Sequence, residues 1–303
     1  MDGTEQEVIM KKIIVVFVVI ISLWTAPLSH VQSGLLIGNG YQGITRAYAA
    51  ERILDSEEDI VAALRQGLLK HKKKIVIHYI DFIDKYDIVI DKLVEQAIAT
   101  DAADTAKDGD YLAFSLTQWK ASIETKAYVA TLTFLPTYKT TAEEEQAVDK
   151  KVKSVLKSLK LENASDYKKV KAIHDYIIKR VNYDDSLTRT SAYHALIEKS
   201  AVCEGYIMLA YRMFTEAGLE CRIITGTGNG GAHGWNIVKV KDKWYNIDLT
   251  WDDPVASDGT PRLVYDYFLK STKDFKGHKR DEKYTTEEFV KAYPISKTSY
   301  KRK

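Results

Sequence analysis

The stretch GTGNGGAHGWNIV, Gly226 to Val238, admits two readings that lead to unrelated folds. Gly226, Gly228 and Gly231 spell G-x-G-x-x-G, and an acidic residue, Asp248, lies about twenty residues on. In a dinucleotide-binding unit such glycines leave a strand and open a helix, whose free amides hold a pyrophosphate. The other reading is a side-chain-poor loop that presents His233. The residues after the glycines decide between the two. The segment GWNIVKVKDKWYNIDLTW, Gly234 to Trp251, is rich in Trp, Val, Ile and Tyr and has no helical period. It reads as two strands meeting at the charged tip Lys241-Asp242-Lys243. No helix faces the glycines, so the phosphate reading fails. The loop reading stands, with a plain hairpin-like connection as its simpler form.

Working back from the loop, Arg222 to Thr225 reads as a strand and Ser200 to Ala217 as a helix closed by Gly218. Ile207, Ala210, Tyr211 and Phe214 mark one apolar face, and Leu209, Met213 and Ala217 a second, which makes this helix central and mostly buried. Upstream, Thr141 to Leu159 and Ser165 to Val181 are amphipathic helices, and Tyr193 to Glu198 a short one.

Three side chains stand out on this frame. Cys203 falls in the first turn of the central helix, where free backbone amides and the helix dipole stabilise negative charge on sulfur. His233 comes after the glycines at the start of a strand. Asp248 lies fifteen residues later on the next strand, across a tight turn. A carboxylate there would bind the far nitrogen of the imidazole and fix its tautomer. The two share a face only if the turn between their strands holds an even number of residues. Thiolate, imidazole and carboxylate together suit attack on an amide or ester carbonyl through a thioester, with the Cys203 N–H as an oxyanion donor. Tyr193 is a second candidate donor. Tyr206, Trp235 and Trp251 are candidates for the cleft, although the alternation of Trp235, Trp244 and Trp251 with polar residues also fits a core.

Three segments, KAIHDYIIKRVNYDD (Lys171–Asp185), AVCEGYIMLAYRMFTEAGLECRIITG (Ala201–Gly226) and HGWNIVKVKDKWYNIDLTWDDP (His233–Pro254), resemble the transglutaminase-like superfamily, whose fold is related to papain-like cysteine proteases. The resemblance spans roughly residues 145–270 and is closest to exported bacterial members, in which CEGY and DLTWDDP recur. It is less close to the animal cross-linking enzymes, since Ala195 to Val202 has no Trp and no EF-hand spacing occurs around Asp252, Asp253 and Asp258. The resemblance implies an α+β fold with a central helix packed on an antiparallel sheet. It also implies Cys203 as nucleophile, His233 as base and acid, and Asp248 as the orienting acid. The product is hydrolysis if water attacks the thioester and acyl transfer if an amine does. A non-catalytic scaffold that keeps the fold is the alternative.

The remaining histidines, His71, His78, His174 and His278, read as structural. His194, nine residues before Cys203, is a rival base with no carboxylate placed to orient it. The two cysteines, Cys203 and Cys221, would ordinarily pair in an exported chain. A single bridge across a helix and its following strand is an odd staple for a large domain, so both are expected to be free thiols, Cys221 in the core.

The 303 residues suit two domains, and 45% hydrophobic with 28% charged content describes a globular chain. A net charge of +2 offers no field for nucleic acid. No metal-ligand cluster or organic-cofactor motif is evident. Lys11-Lys12, the apolar run Ile13 to Trp24 and small residues to Ser33 read as a secretory signal or anchor over residues 1–33. The expected protein is therefore secreted or at the cell surface, touching membrane only through that segment, with a peptide or cell-wall-associated protein as substrate. After a glycine-rich lead-in at Gly34 to Gly43, residues 46–138 read as an accessory α+β module of helix, strand, helix (Ile83 to Ala99) and two strands (Tyr111 to Leu135), the last two meeting near Ile123–Lys126 and ended by Pro136. The catalytic domain is placed at 141–300.

Overall fold

The computed structural model describes residues 15–16, 52–80, 90–99, 106–126, 128–254 and 263–301. The expected export signal, apart from Val15–Val16, and the glycine-rich lead-in at 34–43 lie outside these residues. The chain divides into two compact units, residues 1–99 with 116–138, and residues 100–115 with 139–303.

In the first unit, β1 (Val15–Val16), β2 (Ile53–Leu54), β3 (Ile75–Ile80), β4 (Leu116–Lys126) and β5 (Val129–Tyr138) form a sheet in the order β1-β4-β5-β3-β2. Helix α1 (Glu57–Leu69) begins where Ser56 accepts a hydrogen bond from the Asp59 amide at 3.1 Å, with three acids in its first turn. The second helix, α2 (Ile90–Ala97), falls within the stretch expected to be helical, 83–99, and ends before Ile98. The β4–β5 turn lies a little beyond the expected Ile123–Lys126, since Lys126 pairs with Val129. Pro136 does not end the strand. It pairs with Trp119 on β4, whereas β3 reaches only to Phe134, so Pro136 sits where β5 has one neighbour and tolerates a missing donor.

The second unit takes in residues 100–115, which the sequence pattern assigns to the accessory module. Asp110 to Ser115 is helix α3, not the expected strand. Alternation in Tyr111–Leu116 is overridden by the tertiary ties of Asp110: its carboxylate accepts from Arg222 Nε at 2.8 Å and from the Ile223 amide at 2.7 Å.

Helices α4 (Ala142–Leu159) and α5 (Asp166–Ile178) form as expected, α4 with a capping box between Thr141 and Glu144. Short strands β6 (Asn182–Tyr183) and β7 (Ser200–Ala201) pair in parallel around a π-helical turn at His194–Glu198. The central helix α6 (Cys203–Glu216) is buried continuously from Gly205 to Phe214. It ends in a Schellman motif: Gly218, at φ +80°, and Leu219 donate to the carbonyls of Thr215 and Phe214.

Strands β8 (Cys221–Gly228), β9 (Gly231–Val240), β10 (Lys243–Ile247) and β11 (His278–Arg280) form an antiparallel sheet in the order β10-β9-β8-β11. One apolar cluster, including Ile223, Val238 and Ile247, joins the sheet to α4, α5 and α6; a second, around Ile224, Trp235, Ile237 and Trp244, includes Phe275 and Tyr284. Helix α7 (Glu287–Ala292) comes last. The fold of this unit is α+β, a buried helix packed against an antiparallel sheet.

One buried polar group anchors α6. The Arg212 guanidinium, 1% exposed, bonds Glu145 at 3.2 Å and pairs with Asp149 on α4, 4.7 Å over the ring of Tyr111. Glu145 also accepts from Tyr111 at 3.0 Å and Thr140 at 2.7 Å.

Candidate active site

Cys203 is the first residue of α6, and both cysteines are free thiols. The residue before the helix, Val202, has no side-chain group with which to cap it. The start of α6 is held close to the 189–191 segment. Val202 donates to the Arg189 carbonyl at 2.9 Å. A β-carbon on Gly205 would lie 2.5 Å from that of Ala201 and 2.9 Å from the Ser191 carbonyl. The glycine of C-E-G is therefore required by close approach. It brings the helix of Cys203 against its neighbour.

The glycine stretch is not an open loop. Strand β8 runs to Gly228 and β9 starts at Gly231, so the connection is the two-residue turn Asn229-Gly230. Their φ values, 49° and 90°, are both positive, as an Asn-Gly hairpin turn requires. The simpler hairpin form of the reading is the correct one. Gly228 has a second role: a β-carbon there would meet the His233 ring at 2.9 Å and Trp251 at 2.8 Å.

The open question of register is settled by the β9–β10 turn. Val240 pairs with Lys243, leaving the two residues Lys241 and Asp242, an even number. His233 and Asp248 therefore share a face, and His233 Nε2 lies 2.7 Å from Asp248 Oδ2. Nε2 faces the carboxylate, which leaves Nδ1 as the nitrogen available to Cys203. Burial works to lower the basicity of His233, but its bonds to Asp248 and to the Cys203 sulfur outweigh it and bring its pKa to about 9.

Asp248 is fully buried. Burial pushes its pKa up, but hydrogen bonds from His233 and His278 more than offset this and hold it below its ordinary value. Its second oxygen accepts from the amides of Thr250 at 2.9 Å and Trp251 at 3.2 Å. The turn after Asp248 is itself anchored. Asp252 lies 3.0 Å from Nε2 of His174 on α5, both fully buried, and accepts from the Tyr267 amide at 2.7 Å. His174 thus has the structural part expected of it, as the tie between α5 and the Asp248 turn.

His278, read as structural from the sequence, instead reaches the site. Its Nε2 is 2.9 Å from the same oxygen, Asp248 Oδ2. No signal marks it: it belongs to a three-residue strand thirty residues beyond Asp248 and outside the 145–270 stretch. His233, Asp248 and His278 each offer a ligand atom, all within 4.8 Å of one another, which is the one metal-type grouping among the described residues. Those atoms are engaged in the two imidazole–carboxylate bonds.

The other candidates divide. Trp251 stacks on His233 at 5.1 Å and, with Tyr183, Asp185, His233, Thr250 and Asp253, lines a cleft of about 290 Å³. Tyr206 does not line it. Three residues along α6 from Cys203, it is fully buried, and its hydroxyl bonds Asp253 at 2.6 Å and the Val181 carbonyl at 3.1 Å. Burial brings the pKa of Asp253 up to about 6, against the opposing pull of the Tyr206 hydroxyl. Trp235 is also core, 1% exposed, packed on Phe275 and His278. The ring of Tyr193 packs against the apolar cluster, and among the described contacts none joins its hydroxyl to Cys203. His194 bonds the Ser191 hydroxyl at 2.8 Å, not a carboxylate, and is no rival base.

Residues 153–249 match the core model of the transglutaminase-like superfamily. The chain is 26% identical to kyphoscoliosis peptidase of Mus musculus over 121 residues, which are 34% of this chain and 18% of that protein. It is 25% identical to the Homo sapiens protein of the same name over 121 residues, with the same coverage. The chain thus spans under a fifth of the length of the curated relatives it matches. A crystal structure of a TGase is similar at 18% identity and a TM-score of 0.33, over 58% of this chain and 50% of that one. The matched segment, residues 153–249, is the one that carries Cys203, His233 and Asp248.

Proposed function

We propose that this chain is a thiol-dependent enzyme acting on amide bonds. The observation that carries the reading is the His233 ring, bonded through Nε2 to Asp248 and raised in basicity by Asp248 and the neighbouring Cys203 thiol, at the wall of an open cleft. In this reading His233 takes the thiol proton, and the thiolate attacks the substrate carbonyl carbon. The Cys203 amide faces the resulting oxyanion. The imidazolium returns its proton to the leaving amine as the C–N bond breaks, which leaves a thioester on Cys203. Water or an amine, deprotonated by His233, then attacks and releases the sulfur. Asp248 holds the ring in the tautomer this cycle needs.

Export through the N-terminal segment and a peptide or cell-wall-associated protein substrate belong to the same proposal. Sequencing the N-terminus of the protein recovered from the medium or envelope tests the first.

The enzyme reading is tested with a glutamine-containing peptide and a tagged amine. Incorporation of the tag assigns transfer, and release of the free acid assigns hydrolysis; either product must vanish in Cys203→Ala. A folded, reduced sample that forms neither, and whose Cys203 no iodoacetamide labels, returns the chain to the scaffold alternative.

A further inference from the structure

His278 presents both ring nitrogens to groups that can only accept. Nε2 lies 2.9 Å from Asp248 Oδ2, and Nδ1 lies 2.9 Å from the carbonyl oxygen of Lys276. A neutral imidazole carries one N–H and would leave one of these contacts without a proton. The side chain is 1% exposed, so water has little access to either ring nitrogen, although the Lys276 carbonyl itself lies on an exposed segment. Satisfying both requires a proton on each nitrogen.

The surroundings suit a cation. Phe275 stacks on the ring at 3.9 Å, and Trp251, Trp235 and Tyr267 approach at 4.2, 4.9 and 5.4 Å. Aromatic rings at such distances attract a positive group. The titratable groups facing His278 are Asp248 after β10, His233 on β9 and Tyr267. Those facing His233 are Asp248, His278, Cys203 and, along the cleft, Tyr183, Asp185 and Asp253.

We propose that His278 is a positioning residue, held as an imidazolium, that takes up part of the charge of Asp248 and so limits how tightly His233 keeps its proton. The inference rests on the thiol-enzyme reading above. With Cys203 as thiolate and both rings protonated, two negative and two positive groups cancel in a largely buried set. A carboxylate serving His233 alone would hold the imidazolium too firmly to release its proton to a leaving amine at neutral pH. The neighbouring cation, with ring centres 5.4 Å apart, weakens that grip by sharing the oxygen and by direct repulsion.

The test uses the full chain and needs no substrate. Ring 15N shifts of the wild type read the protonation of each histidine nitrogen directly, and both nitrogens of His278 should carry protons at neutral pH. Iodoacetamide alkylation of Cys203, followed across roughly pH 4 to 11, should rise in two steps. These are formation of the thiolate–imidazolium pair and then loss of the His233 proton. In His278→Gln, which keeps one donor for Asp248 but no charge, the alkaline step should move up by about one pH unit. His278→Leu should show the same displacement with a rate lower by about tenfold, through lost orientation of Asp248. A His278 ring with one proton, or a His278→Gln profile superimposable on the wild type, overturns the inference. If His278→Leu fails to fold, His278→Gln and the wild-type spectra still decide. A wild type without a His233-dependent step sinks the enzyme reading itself; an intact two-step profile indifferent to residue 278 sinks only this one.

Discussion

A β-carbon added to Gly228 would stand 2.9 Å from the ring of His233 and 2.8 Å from that of Trp251. The backbone of Gly228 is ordinary strand, so the glycine is there for space and not for a left-handed turn. Gly228→Ala is therefore expected to push the imidazole off Asp248. Displacements of about 1 Å at a reacting group cost on the order of a hundredfold in rate. The expected result is a loss of that order in Cys203 alkylation at neutral pH, with a thermal midpoint within a few degrees of wild type.

Asp248→Asn keeps the shape of the side chain and removes its charge. His233 would lose the strongest partner that raises it to about 9, and the alkaline step of the alkylation profile should move down. That is the opposite sign to His278→Gln. Turnover of an amide substrate should fall by about 10³ to 10⁴, as when a triad carboxylate is neutralised.

Stability should depend on pH through the same rings. His233 is raised from an ordinary 6.5 to about 9, and His174 is raised because its bonds to Asp175 and Asp252 outweigh the lowering by burial. A group raised by folding contributes fully below its unfolded value, and the contribution is lost as pH climbs through the folded one. The midpoint of unfolding should therefore decline from pH 6.5 to past pH 9. His174→Gln should lower the midpoint at pH 6 and flatten the decline, measured by circular dichroism melts at a series of pH values.

Arg212→Met removes a buried cation and leaves Glu145 on α4 without a counter-ion, held only by the hydroxyls of Tyr111 and Thr140, while Asp149 keeps its pair with Lys107. Breaking such a group from one side costs about 3–5 kcal/mol. Urea titration should show a loss of this size. Adding Glu145→Gln should recover part of it, because the stranded charge is then gone.

The placement of Cys203, His233 and Asp248 is legible because it depends on local features. A helix start, the first residues of a strand and a two-residue turn all leave marks in the sequence. The glycine stretch is harder, because glycine is a poor strand former and only the pairing with β9 makes Gly226 and Gly228 strand residues. Helix α3 reads as a strand because the groups that hold it lie far along the chain, at Arg222 and Ile223. His278 leaves no trace at all. A three-residue strand has too little pattern to announce which carboxylate it will meet. Tyr206 shows the reverse error: adjacency to Cys203 in sequence suggests the cleft, but a step of three along a buried helix turns the ring inward.

Helix α3 also bears on how this protein can be dissected. The polypeptide passes between the units after residues 99, 115 and 138, so a fragment beginning at Lys139 would forfeit Asp110 and expose Arg222 and the Ile223 amide without their shared acceptor. Neither unit is a contiguous run that a single proteolytic nick could release whole. Expression of the second unit alone calls for a linker that bypasses 116–138 and retains 100–115, and circularly rearranged or chimeric versions must respect the same interleaving.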